Sequence, residues 1–210
     1  MKRTMQRILT VLFLLTLFIL LAISGVILSN AYADPANLAG TSYGFTGSAT
    51  CINSQEGFNQ NFTPIIPDAW LESFSVEGIR AFASGGTGKV TGVSTGVEFG
   101  TGKTSASSST FTYNFTYTVL GDTWTSSASG PLTGLVTSGP RKGETFSLTG
   151  LPDFSGFISK NASSLTAAEN FPKAPAVETI VYSDGSFTTV HRICNRSRVF
   201  IDLPGQRKSD

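Results

Sequence analysis

The sequence predicts an all-β protein: an antiparallel meander closing into a small up-and-down β-barrel of about eight to ten strands, with a β-sandwich as the alternative. Three observations predict it. Residues 109–119 alternate strictly, with Phe111, Tyr113, Phe115, Tyr117 and Val119 on one face and Thr110, Thr112, Asn114, Thr116 and Thr118 on the other; this period of two gives a strand one apolar and one hydroxyl face. Short β-rich runs separated by turn residues recur every 10–15 positions, whereas residues 34–210 carry no sustained helical stripe. The two cysteines, Cys51 and Cys194, lie near the start and the end of that region. A bridge between the first and last strands favours a closed barrel, in which those strands become neighbours and exposed edges vanish.

The chain opens on an export pattern. Lys2, Arg3 and Arg7 precede an uncharged run over residues 8–28, and Ala31-Tyr32-Ala33 offers a small-x-small cleavage site before Asp34. Residues 1–33 are therefore read as a signal peptide and 34–210 as a single β-barrel domain. The apolar run is long enough to cross a bilayer, so a retained N-terminal anchor is the alternative, again with the domain outside the cytoplasm. The expected location is periplasmic or secreted, with no stable membrane span after cleavage. An oxidising compartment favours a Cys51–Cys194 disulfide.

The strands follow in order. Residues 43–52 open the domain. Runs 74–83 and 87–99 flank Ser84-Gly85-Gly86, whose glycines admit positive φ. Residues 109–119 and 123–127, the latter carrying Trp124, flank Leu120-Gly121-Asp122. Runs 131–136 and 144–151 flank a polar loop, 154–159 and 164–167 flank Lys160-Asn161, and 176–182 and 186–202 flank Ser183-Asp184-Gly185. Residues 53–68 and 100–108 read as irregular polar loops, and 68–71 and 165–170 as single helical turns.

One conflict is visible. In an unbroken first strand Cys51 shares the face of Tyr43 and Phe45. In an unbroken last strand Cys194 shares a face with Arg192, Arg196 and Arg198, opposite Ile193, Val199 and Ile201. Taking the apolar face as inward, a bulge is expected, with Gly47 its natural place. The three arginines are then read as a solvated outer face; the alternative is a basic ridge for an anionic ligand or lipid head group.

Little else carries chemistry. Charged residues are 14 % of the chain and its formal net charge is +1, which leaves no electrostatic footprint for nucleic acid. Residues 97–104 end like a phosphate loop but place Val97 where its first glycine belongs, and no helix pattern follows. His191 is the single histidine and no Gly-x-Ser-x-Gly elbow accompanies it. No catalytic residues, metal ligands or cofactors are expected.

The aromatic set is the suggestive feature, with 16 Phe, 5 Tyr and 2 Trp. Tyrosine and tryptophan carry a polar handle that a purely apolar core leaves unsatisfied. Tyr43, Phe45, Phe111, Tyr113, Phe115, Tyr117 and Trp124 are accordingly the candidate ligand-binding wall.

Three segments carry a resemblance: Gly40-Thr41-Ser42-Tyr43-Gly44-Phe45, the hairpin from Phe82 through Gly85-Gly86-Thr87-Gly88, and the terminal Arg192-Ile193-Cys194-Asn195-Arg196-Ser197-Arg198. In these the chain resembles the calycin-like and allene-oxide-cyclase-like small barrels of exported bacterial proteins. The resemblance implies a barrel over the whole of residues 34–210 and carries over no catalytic or ligand residues. The leading expectation is an exported barrel binding a small, largely apolar ligand in an aromatic-lined interior. The alternatives are a structural or surface-interaction domain with a filled core, and a cofactor-independent isomerase or cyclase of the allene-oxide-cyclase type.

Overall fold

A computed structural model of the protein describes residues 38–65, 69–100, 103–169 and 174–203; the expected signal segment lies outside them. Eleven strands follow in chain order: β1 (Ser42–Ser54), β2 (Ala69–Ala83), β3 (Thr87–Gly100), β4 (Lys103–Leu120), β5 (Thr123–Ala128), β6 (Leu132–Ser138), β7 (Thr145–Thr149), β8 (Phe154–Phe157), β9 (Ser164–Glu169), β10 (Ala176–Tyr182) and β11 (Phe187–Asp202). All ladders among them are antiparallel.

The first five strands form the expected meander, each paired with the next. Their turns follow the local sequence: Gly85 and Gly86 take φ of 74° and 71° between β2 and β3, a conformation that side chains with a Cβ resist. Beyond β5 the path branches. The ends of β4 and β11 nearest Leu120 and Asp202 are joined by β5, β8 and β9, and their other halves by β6, β7 and β10. Because β1 also pairs with β11, β1–β4 and β11 complete a closed ring of eight strands through either set. No described ladder joins one set to the other.

The β1–β11 register corrects the expected bulge. It runs without a shift from Tyr43↔Asp202 to Ser54↔His191, with Cys51 opposite Cys194. The inward face of β11 is the one carrying Val190, Arg192, Cys194, Arg196 and Phe200, all buried, while Val199 and Ile201 face out at 49 % and 62 % exposure. The arginines are thus not a solvated outer face. Gly47 stands opposite Arg198, and a Cβ there would lie 2.7 Å from Arg198 Cγ. The glycine makes room for an inward arginine stem rather than a bulge.

Two further expectations change. Residues 103–108 belong to β4 and pair with β3 from Gly100↔Lys103 to Thr95↔Ser108; their serine-rich sequence has weak β preference, and the long β3 template sets their state. Residues 69–71 and 165–169, read as helical turns, lie in β2 and β9. Asn53 and Ser54 extend β1, and the segment after them folds back through a Phe58↔Pro64 bridge.

Candidate functional site: a polarised cavity in the barrel

The two halves of the barrel are filled differently. Near the β4–β5 turn, alternation brings Tyr43, Phe82, Phe115, Tyr117, Trp124 and Phe200 inward from β1, β2, β4, β5 and β11. Phe82 lies at their centre, edge-on to Tyr43, Phe115, Tyr117 and Trp124 at centroid distances of 4.9–5.9 Å, the preferred arrangement for aromatic quadrupoles. The polar handles here bind backbone. Tyr43 Oη donates to Ala162 O at 2.6 Å, Tyr117 Oη to Ala83 O at 3.1 Å, and Trp124 Nε1 to Thr166 O at 3.0 Å. This half is a packed core.

Toward the other end lies a cavity of about 420 Å³, its wall drawn from both strand sets. Of the seven residues singled out from the sequence, Phe111, Tyr113 and Phe115 line it. Tyr43, Phe45, Tyr117 and Trp124 are buried in the core cluster outside its lining. Its remaining apolar wall includes Phe74, Leu132, Phe146, Leu148, Leu151 and Phe154.

Charged side chains inside the barrel escaped the sequence reading. A chain of ion pairs runs from Glu72 to Arg192 (2.8 Å), from Arg192 to Glu178 (3.0 Å), from Glu178 to Arg196 (2.7 Å) and on to Glu169 (3.5 Å). It flanks the Cys51–Cys194 disulfide, since Arg192 and Arg196 lie two residues either side of Cys194 on the same face. Each guanidinium meets two carboxylates, the condition under which buried charges are tolerated. Burial pushes the Glu169 carboxyl above its ordinary value despite Arg196, and the neighbouring Glu178 carboxylate adds to the effect.

Two other arginines differ. Arg80 is 1 % exposed. Its guanidinium carbon lies 3.7 Å from the Phe115 ring centroid and 4.9 Å from that of Trp124, a cation–π cage, and its Nε and Nη2 are buried without a hydrogen-bond partner. Burial brings its pKa down to about 10, with Arg198 adding to the effect, so it remains a cation at neutral pH. Arg198 lies 4.4 Å from the Phe154 centroid, and its Nη1 donates to Tyr113 Oη at 3.2 Å. Burial alone would raise the Tyr113 phenol; Arg198 and Arg80 outweigh it and hold the group below its ordinary value. Among the described residues neither Arg80 nor Arg198 forms a salt bridge.

At the rim, Arg141 covers the Tyr182 ring at 3.9 Å and pairs with Glu144 at 2.8 Å. Glu98 accepts a hydrogen bond from Ser105. His191 lies opposite Ser54 in the β1–β11 register, and among the described residues no group of three His, Cys, Asp or Glu side chains is placed to hold a metal ion. No protein-family model matches the sequence, and a comparison with curated proteins returns no match.

Proposed function

We propose that this chain is a binding module whose barrel holds a small, largely apolar ligand in the cavity beside Phe111 and Tyr113. The observation that carries the reading is the contrast between the halves: one is packed with interlocking aromatics, while the other leaves about 420 Å³ between a wall of Phe, Leu and Tyr side chains and a polar side of serines, glutamates and arginines. Cavities of this size with a few fixed polar groups are the usual form of small-molecule sites. Export to an oxidising compartment fits the signal-like segment and the Cys51–Cys194 disulfide.

Titration with the neutral fluorophore N-phenyl-1-naphthylamine tests the reading. Saturable binding at one site is expected, abolished by Ser109→Trp, which fills the cavity from β4 while the melting transition persists. Absence of saturable binding to the unaltered protein overturns it.

A second reading, a surface-interaction domain, draws on the outer face. Ile52, Leu71 and Phe99 are register neighbours across β1, β2 and β3 and are 38 %, 50 % and 51 % exposed, a continuous apolar row around one end of the barrel. Unchanged binding of the fluorophore in the Ser109→Trp variant would favour this reading.

A further inference from the structure

We propose that the floor of the cavity is an anion site, where Arg198 and Tyr113 take the single negative group of an otherwise apolar organic ligand. This rests on the reading that the cavity holds a small molecule, and adds the chemical class: an amphiphilic organic monoanion, such as a carboxylate or sulfonate on an apolar body.

The argument begins with how interior charge is shared. Arg192 and Arg196 are committed to Glu72, Glu178 and Glu169. Arg80 and Arg198 have no such carboxylate among the described residues, yet both lie inside the barrel beside Tyr113. Ions removed from water are strongly destabilising unless paired. A fold that places two guanidiniums together offers them aromatic faces and one phenol, and Glu169 lies near enough to Arg198 to feel its charge without pairing with it. Among the described residues Arg198 is the one arginine of the cavity lining without a carboxylate partner, since Arg141, Arg192 and Arg196 each have one, and an arriving anion supplies that partner.

Geometry makes Arg198 the contact residue. Arg198 and Tyr113 line the cavity, and Arg80 lies outside its lining. One Arg198 nitrogen donates to Tyr113, leaving further donors of the planar fork for a carboxylate or sulfonate. Tyr113 accepts that bond and keeps its own hydroxyl proton to donate. Gly47 leaves the space through which the Arg198 stem enters, and Phe154 and Phe45 flank its guanidinium. Of the three glutamates that line the cavity, Glu72 and Glu178 are held by Arg192 and Arg196, and Glu98 lies apart. Following the register from Arg198 through Gly47 and Val76 reaches Ser94, four residues short of Glu98 and hence about 13 Å away along the strand. The apolar side chains of the lining, Phe74, Val76 and Phe111 among them, suit a body carrying its charge at one end only.

The test compares two probes that share one aromatic skeleton: anionic 1-anilinonaphthalene-8-sulfonate and neutral N-phenyl-1-naphthylamine, each titrated calorimetrically into the full barrel. The sulfonate is expected to bind at least tenfold more tightly. Arg198→Gln should remove that preference, lowering affinity for the sulfonate about tenfold more than affinity for the neutral probe. Should Arg198→Gln fail to fold, Arg198→Lys and Tyr113→Phe are the second pair, and each is expected to cut the preference severalfold. Equal or weaker binding of the sulfonate by the unaltered protein, or a preference that survives loss of the Arg198 fork, overturns the anion site while the cavity reading stands. Failure of both probes to bind overturns both.

Discussion

Cys51 stands directly opposite Cys194 in an unbroken β1–β11 ladder, and that single pairing decides which face of β11 is inside. Because side chains alternate along a strand, fixing Cys194 inward carries Arg192, Arg196 and Arg198 inward with it and turns Val199 and Ile201 to the exterior. The bridge thus sets the electrostatic character of the interior as well as closing the barrel.

The bridge spans 143 positions, so its loss should cost about 5 kcal/mol in the chain-entropy model. Denaturant unfolding of the Cys51→Ala/Cys194→Ala double variant, beside the oxidised and reduced parent, measures this. The reduced parent should match the double variant.

Gly47→Ala should destabilise by roughly 1–3 kcal/mol through overpacking, since its Cβ would meet Ser197 O at 2.5 Å and Arg198 Cγ at 2.7 Å. Thermal unfolding reads the loss. The same variant should lower affinity for the anionic probe more than for the neutral one.

Arg80→Met should stabilise the apo-protein at pH 7 by about 1–4 kcal/mol, as replacing a buried ion with an apolar chain of similar volume often does. The sign follows from the pKa, which burial brings down to about 10 on folding. The unfolded chain then holds more protons from about that pH up to the ordinary arginine value, so parent stability rises with pH in that window. The advantage of Arg80→Met should therefore shrink above pH 10, which denaturation at pH 7 and pH 10.5 would show.

Glu169 is pushed the other way, its carboxyl raised by burial above 4.5. The stability tied to its protonated form is full below the unfolded value and is lost as pH rises through the folded one. Glu169→Gln, which keeps the neutral shape, should be more stable than the parent at pH 7.5. It should be no more stable at pH 4.

Tyr113 should ionise ahead of Tyr117 and Tyr182, because Arg198 and Arg80 hold its phenol down whereas burial raises the other two. Absorbance at the tyrosinate band during alkaline titration should show one early step that Tyr113→Phe removes.

Much of the fold was legible where local pattern and tertiary demand agree. The alternation of 109–119 placed Phe111, Tyr113, Phe115 and Tyr117 inward, and all four are buried. The glycine and polar turns marked the β2–β3, β4–β5, β6–β7, β8–β9 and β10–β11 hairpins. The branching after β5 was not legible, because β6 and β8 are short and nothing local tells Leu132 to pair with Leu148 while Phe154 seeks Ser126. The site was legible in part. Cys194 shared parity with three arginines, and a bridge to inward Cys51 already placed them inside; the preference for apolar interiors set that signal aside. Arg80 gave no such signal, since Phe115 and Trp124 come from strands distant in sequence, and Glu178 gave none because its inward face follows from that of β11, the strand it pairs with. Tyr43, Tyr117 and Trp124 looked like ligand anchors because their polar handles needed partners, and those partners turned out to be backbone carbonyls.

The most direct test of the account is native mass spectrometry of the unreduced protein isolated from the cells that produce it. The account predicts a mass two hydrogens below that of the reduced polypeptide, carrying one bound small molecule that is released on unfolding and detected as an anion. Bare protein, still bare after exposure to a lipid and metabolite extract from the same cells, would contradict it.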